Sequence, residues 1–157
     1  MQTVEIQIYH FHELDDRAKE RAREWYRANC EYTWFSEAKD CLTAFCDHFG
    51  VKVLDYSIGD NQGFVKTDAG QHHFRGIKLS EQLRDAMPTG LWLDCELFMH
   101  FYDEFKNTGN AKAAFEDALY NFTRAVRNDV EHYYSDEAID ENIEINEWTF
   151  TADGKFY

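Results

Sequence analysis

Residues 91–133 constrain the fold most, because two long stretches of helical apolar spacing stand almost end to end there. Residues 91–106 are dense in Leu, Trp, Phe, Met and Tyr, and residues 110–133 carry Phe115, Leu119, Phe122, Val126 and Val130 on one side. Side chains three or four apart share a helix face, so each stretch must bury one face. The two helices are expected to pack together, with the first the most buried of the chain.

The remaining elements arrange themselves around that pair. Residues 3–12 alternate (Val4, Ile6 and Ile8 with Glu5 and Gln7 between), the period of a half-buried strand. Asp15 is placed to cap a helix reaching Asn29, with Leu14, Ala18, Ala22 and Trp25 as its apolar stripe. Its exposed side mixes Glu20 and Glu24 with Arg17, Lys19, Arg21, Arg23 and Arg27. A second helix is expected over 34–49, ended by Gly50, followed by a strand over 51–58. Residues 59–77, rich in Gly, Asp, Asn and Gln, read as a hairpin or a long irregular loop. Ser80 caps a short helix stopped at Pro88-Thr89-Gly90, and Ser135 caps a last helix over 136–147. Asp153-Gly154 closes a C-terminal hairpin.

The fold class that follows is α+β: a single domain over 1–157, with five to six helices packed on a small, mostly antiparallel sheet. That sheet is expected to join the N-terminal strand, the middle strand and the C-terminal hairpin. A chain of 157 residues with 44% hydrophobic and 17% aromatic side chains supplies enough apolar surface for such a core. Every apolar run is interrupted by charge well short of the roughly 20 residues that span a bilayer, and no basic start leads into an apolar block. A cytoplasmic location is therefore expected, with Cys30, Cys41, Cys46 and Cys95 reduced.

Charge narrows the function. A formal net charge of −14 disfavours direct docking on nucleic acid or on an anionic membrane, and favours a basic protein partner. Residues 128–154 hold nine carboxylates and no Lys or Arg. At 100° per residue, Asp136, Glu137, Asp140, Glu141, Glu144 and Glu147 all fall within an arc of about 140°. Like charges four apart cost about 0.2–0.5 kcal/mol each, so helix stability alone does not select this face. A solvated surface and a recognition face for Lys- or Arg-rich partners both fit the pattern. Tyr134 and Trp148 flank the acids and extend the candidate interface.

Chemistry-bearing motifs are sparse. Cys41, Cys46 and His48 lack the paired spacing of a zinc site, and His72-His73 point opposite ways if the chain is extended there. Asp94 and Glu96 are expected to face outward. No phosphate loop, nucleophile elbow or deaminase signature is present, so no catalytic residues, metal ligands or cofactor are assigned.

Two terminal segments carry a likeness. Glu13-Leu14-Asp15-Asp16-Arg17-Ala18-Lys19 near the start, and Ser135-Asp136-Glu137-Ala138-Ile139 leading to Phe150-Thr151-Ala152-Asp153-Gly154-Lys155 at the end, follow a recognisable order. The chain resembles small acidic phage and prophage proteins of the family labelled antitoxin of a toxin–antitoxin stability system. The resemblance covers both ends and leaves residues 55–88 unaligned; it implies a phage or bacterial source and a non-enzymatic, partner-blocking role. The leading expectation is an interaction protein that covers a basic, nucleic-acid-binding surface of a host defence protein, acting as an anti-CRISPR-like inhibitor or nucleic-acid mimic. An antitoxin for a cognate toxin, and a metal-dependent hydrolase using the His and Cys cluster, are the alternatives.

Overall fold

Helices form where the apolar repeat and the caps place them. In the computed structural model, which describes residues 1–59 and 62–157, the fold is α+β. The described residues form six α-helices and two antiparallel sheets of two strands each. The helices are α1 (Asp16–Asn29), α2 (Phe35–His48), α3 (Glu81–Arg84), α4 (Trp92–Thr108), α5 (Ala111–Tyr133) and α6 (Asp136–Ile145). Three N-termini are capped as the sequence predicts: Asp15 accepts from Ala18 N–H at 2.8 Å, Ser80 from Leu83 N–H at 3.2 Å and Ser135 from Ala138 N–H at 3.3 Å. No described helix is long and apolar enough to cross a membrane.

The strands differ from expectation in their partners. β1 is only Tyr9–His10 and pairs with β4 (Thr149–Phe150), which Phe156 also bridges. β2 (Val53–Ser57) pairs instead with β3 (Phe64–Thr67), so the anticipated single sheet is two. The segment 59–77 thus contains a hairpin strand, with Asp60 and Asn61 outside the described residues. Residues 3–8 alternate but join no strand, and Val4, Ile6 and Ile8 stand exposed. Their ladder ends because β4 offers only two residues, and a 3-10 turn at Phe11–Glu13 then rotates Phe11 inward.

The chain divides into two compact units, each with its own core. The first comprises Met1–Tyr32 and Glu131–Tyr157; Phe11, Leu14, Ala18, Ala22, Tyr26, Ile139, Ile143 and Phe150 form its centre. Tyr26, not Trp25, is the fully buried aromatic of α1, while Trp25 stacks on Phe156 at 4.1 Å and meets Trp148 edge-on. The second comprises Thr33–Val130, centred on α2, α4 and the part of α5 up to Val130. There Phe45 stacks on Phe115 and takes Phe98 edge-on, burying the apolar faces of the helical pair foreseen over 91–133.

Asp94 corrects an expectation. It is wholly buried at the third position of α4, and its Oδ2 accepts from Thr89 N–H, Thr89 O–H and Gly90 N–H at 3.0, 2.8 and 3.0 Å. It holds the Pro88-Thr89-Gly90 loop against the helix start, which favours a carboxylate.

Candidate functional site

The acidic helix α6 belongs to the first unit, and its orientation follows from its two buried residues. Ile139 and Ile143 are fully buried beside Tyr26 and Phe150, so the helix lies with that edge inward. Asn142 fixes its rotation by donating to the Tyr26 hydroxyl at 2.6 Å. On the wheel Asp136 and Asp140 sit nearest the two isoleucines, so their carboxylates come within reach of α1, Asp140 half-buried and Asp136 at the exposed edge.

There they meet arginines. Arg23 makes a two-pronged pair with Asp140, Nε to Oδ1 and a terminal nitrogen to Oδ2, both at 2.7 Å. Arg27 pairs with Asp136 and donates to the Tyr134 carbonyl at 3.3 Å. Glu20 bridges the two guanidinium groups at 3.2 and 3.4 Å. Arg23 is the most enclosed member, with 18% of its side chain exposed and its plane over the Phe11 ring at 5.7 Å. Asp140 holds its proton affinity above even the ordinary arginine value. This forked geometry is the strong form of an ion pair.

The six-acid arc read from the wheel therefore divides. Asp136 and Asp140 brace α6 to α1; Glu137, Glu141, Glu144 and Glu147 are exposed, and among the described residues none of them enters an ion pair. Ile145 lies beside them, 70% exposed. Tyr134 and Trp148 turn mainly inward: the Tyr134 hydroxyl donates to the Cys30 carbonyl and accepts from Tyr32 N–H, and Trp148 packs on Trp25 and Phe156. They shape the support of the face more than its surface. Arg23 and Arg27 were the residues that sequence reading left on an open mixed-charge side. Their spacing of four matches that of Asp136 and Asp140, the one signal in the chain for this brace.

Glu147 is held in an unusual backbone conformation. Its φ is +53°, the only positive φ outside glycine among the described residues. The N–H of Trp148 reaches the Ile143 carbonyl at 3.2 Å and that of Glu147 the Glu144 carbonyl at 3.0 Å, the two bonds of a Schellman ending whose left-handed position usually holds Gly. A carboxylate there is strained in backbone and sits at the negative end of the helix dipole. Glu147→Gly is accordingly expected to stabilise the first unit by about 1 kcal/mol, a rise of about 2–4 °C in thermal midpoint measurable by calorimetry.

Other side chains singled out in the sequence do not assemble into a site. Cys41 and Cys46 are buried in the second unit's core, where burial pushes the Cys41 thiol up and the Cys46 thiol to about 12, and His48 lies edge-on to Phe98. These cysteines are packed as small apolar groups, protonated and unreactive. His72 and His73 lie in a 3-10 turn, which brings their rings to 4.0 Å; the opposite facing holds only for extended chain. The chain matches no family model, no curated protein and no solved structure.

Proposed function

We propose that the protein is a non-enzymatic acidic interaction protein of phage or mobile-element type, which covers a basic, nucleic-acid-binding surface of a host defence protein. Glu137, Glu141, Glu144 and Glu147 are its contact charges, with the exposed Ile145 beside them. The observation that carries the reading is that these four carboxylates enter no ion pair among the described residues, three on α6 and Glu147 just past its end, while Asp136 and Asp140 brace the helix to α1. From Glu137 to Glu144 three charges span about 10 Å at a rise of 1.5 Å per residue. That is one charge about every 5 Å, sparser than the roughly 3.4 Å per charge along one nucleic-acid strand but of the same order, so a groove lined by Lys and Arg for phosphates suits it. The strain kept at Glu147 supports the same reading, since a position that favours Gly carries a charge instead. The likeness of the two chain ends to phage and prophage proteins supports the source class.

The test is capture. The immobilised protein is exposed to a bacterial lysate at low salt, and retained proteins are identified by mass spectrometry. A basic nucleic-acid-binding protein is expected to dominate and to elute as salt rises, because exposed charge pairs are screened within about 10 Å at 0.1 M. A variant with all four glutamates changed to Gln is expected to hold that protein about tenfold more weakly. Equal retention by the variant, with its circular dichroism unchanged, rules the α6 surface out.

A further inference from the structure

Away from α6, the second unit gathers three metal-ligand side chains that sequence spacing alone does not connect. His100 and Glu104 lie four apart on α4, on one face and one turn from each other. Asp117 meets them from α5, and one ligand atom from each residue lies within 4.8 Å of the other two. Among the described residues no other set of three His, Cys, Asp or Glu side chains converges in this way.

The frame around the three is already fixed. One turn earlier on α4, Glu96 receives two bonds from the Asn121 amide of α5, to its carbonyl and to Oε2, both at 3.0 Å. This sets the antiparallel register that puts Asp117 opposite His100. Beneath them Leu97, Phe101, Ala114 and Ala118 are buried to within 1%. The ligands thus stand on two packed helices, the kind of support that holds a coordination geometry.

We propose that His100, Glu104 and Asp117 form a binding site for a divalent transition-metal ion of the zinc class, with the remaining coordination positions left to water. One imidazole nitrogen and two carboxylate oxygens form a mixed set that suits a borderline ion. Calcium requires six to eight oxygens, and magnesium gives up its water reluctantly, so three ligands including an imidazole serve neither well. With metal–ligand bonds of about 2.0–2.2 Å, neighbouring ligand atoms sit about 3–3.5 Å apart. His100 Nε2 and Asp117 Oδ2 are 2.6 Å apart, so an ion enters with a sub-ångström opening of that contact. The opening is accessible because 29% of the His100 side chain and 48% of the Asp117 side chain face solvent, which also provides the entry route. Without metal the same two groups are linked by a proton, which the ion replaces.

The site belongs to the second unit and does not depend on the α6 reading. The full chain, stripped with chelator and dialysed, is titrated with zinc chloride by calorimetry, then with cobalt(II), followed by absorbance. One equivalent is expected at micromolar affinity, with a tetrahedral or five-coordinate cobalt spectrum. His100→Ala, Glu104→Gln and Asp117→Asn are each expected to weaken zinc at least about tenfold. A control with His72→Ala and His73→Ala together is expected to leave the affinity unchanged. All three ligand changes fall on partly exposed positions, and circular dichroism verifies each fold. Zinc binding that survives His100→Ala, or that vanishes in the His72/His73 control, overturns the assignment, as does no binding by the native chain.

Discussion

Gly154→Ala is expected to cost the first unit about 3 kcal/mol, enough to shift its urea midpoint clearly downward. Gly154 is buried with φ at +86°, and a Cβ at this position would collide with the backbone carbonyl of Ala18. The left-handed conformation alone costs a non-glycine residue about 1–2 kcal/mol. Overpacking adds about 1–3 kcal/mol, because Ala18 sits in α1 at 2% exposure and has no room to retreat. The turn cannot move away cheaply either: Gly154 N–H donates to the Thr151 carbonyl and Thr151 N–H to the Lys155 carbonyl, both at 2.8 Å. Displacing it breaks the Phe150–Phe156 bridge and lifts Phe156 from Trp25. Tryptophan fluorescence from Trp25 and Trp148 therefore reports the change. Asp153→Asn, one residue away on the exposed side of the turn, should leave the midpoint nearly where it was; equal losses from both would mean that the charge and not the close approach matters.

What the sequence discloses and what it hides divides along the range of each interaction. The helices over 35–48, 92–108 and 111–133 were readable because helix periodicity is local, and those over 16–29, 81–84 and 136–145 because Asp15, Ser80 and Ser135 cap their starts within three residues. Gly154 was readable for the same reason, though only as a turn; that it touches Ala18 is a fact of packing across more than a hundred residues. Alternation at residues 3–8 tells which face a strand would bury, not whether a partner strand exists, and among the described residues the ladder stops at the Tyr9–Phe150 pair. The wheel of α6 placed the five acids from Asp136 to Glu144, but the helix ends at Ile145 and Glu147, at φ +53°, lies past it. The wheel did not give the neighbour at each angle, so Asp136 and Asp140 were placed among the outward charges until the arginines of α1 came into view. The convergence of Asp117 on His100 and Glu104 depends likewise on the α4–α5 register, which Asn121 sets and no spacing rule predicts.

Arg23→Ala is expected to destabilise the first unit by about 2–3 kcal/mol. Removing one partner of a fully buried pair costs about 3–5 kcal/mol; the 31% exposure of the Asp140 side chain lets water recover part of that. The loss has two parts. Asp140 is left without its forked donor, and Phe11 loses the guanidinium plane that covers it. A double-mutant cycle with Asp140→Asn separates them: the double variant should be less destabilised than the two single losses added together, by about 1 kcal/mol or more, because deleting the second charge removes the uncompensated group. Full additivity would mean that Arg23 acts through packing alone. The same variant bears on function in the opposite direction from the glutamate changes. Freeing Asp140, while Arg27 still holds Asp136, adds negative charge to the α6 surface and loosens the helix that presents it. If rigid presentation governs capture of a basic partner, Arg23→Ala weakens retention despite the extra charge; if charge alone governs, retention rises.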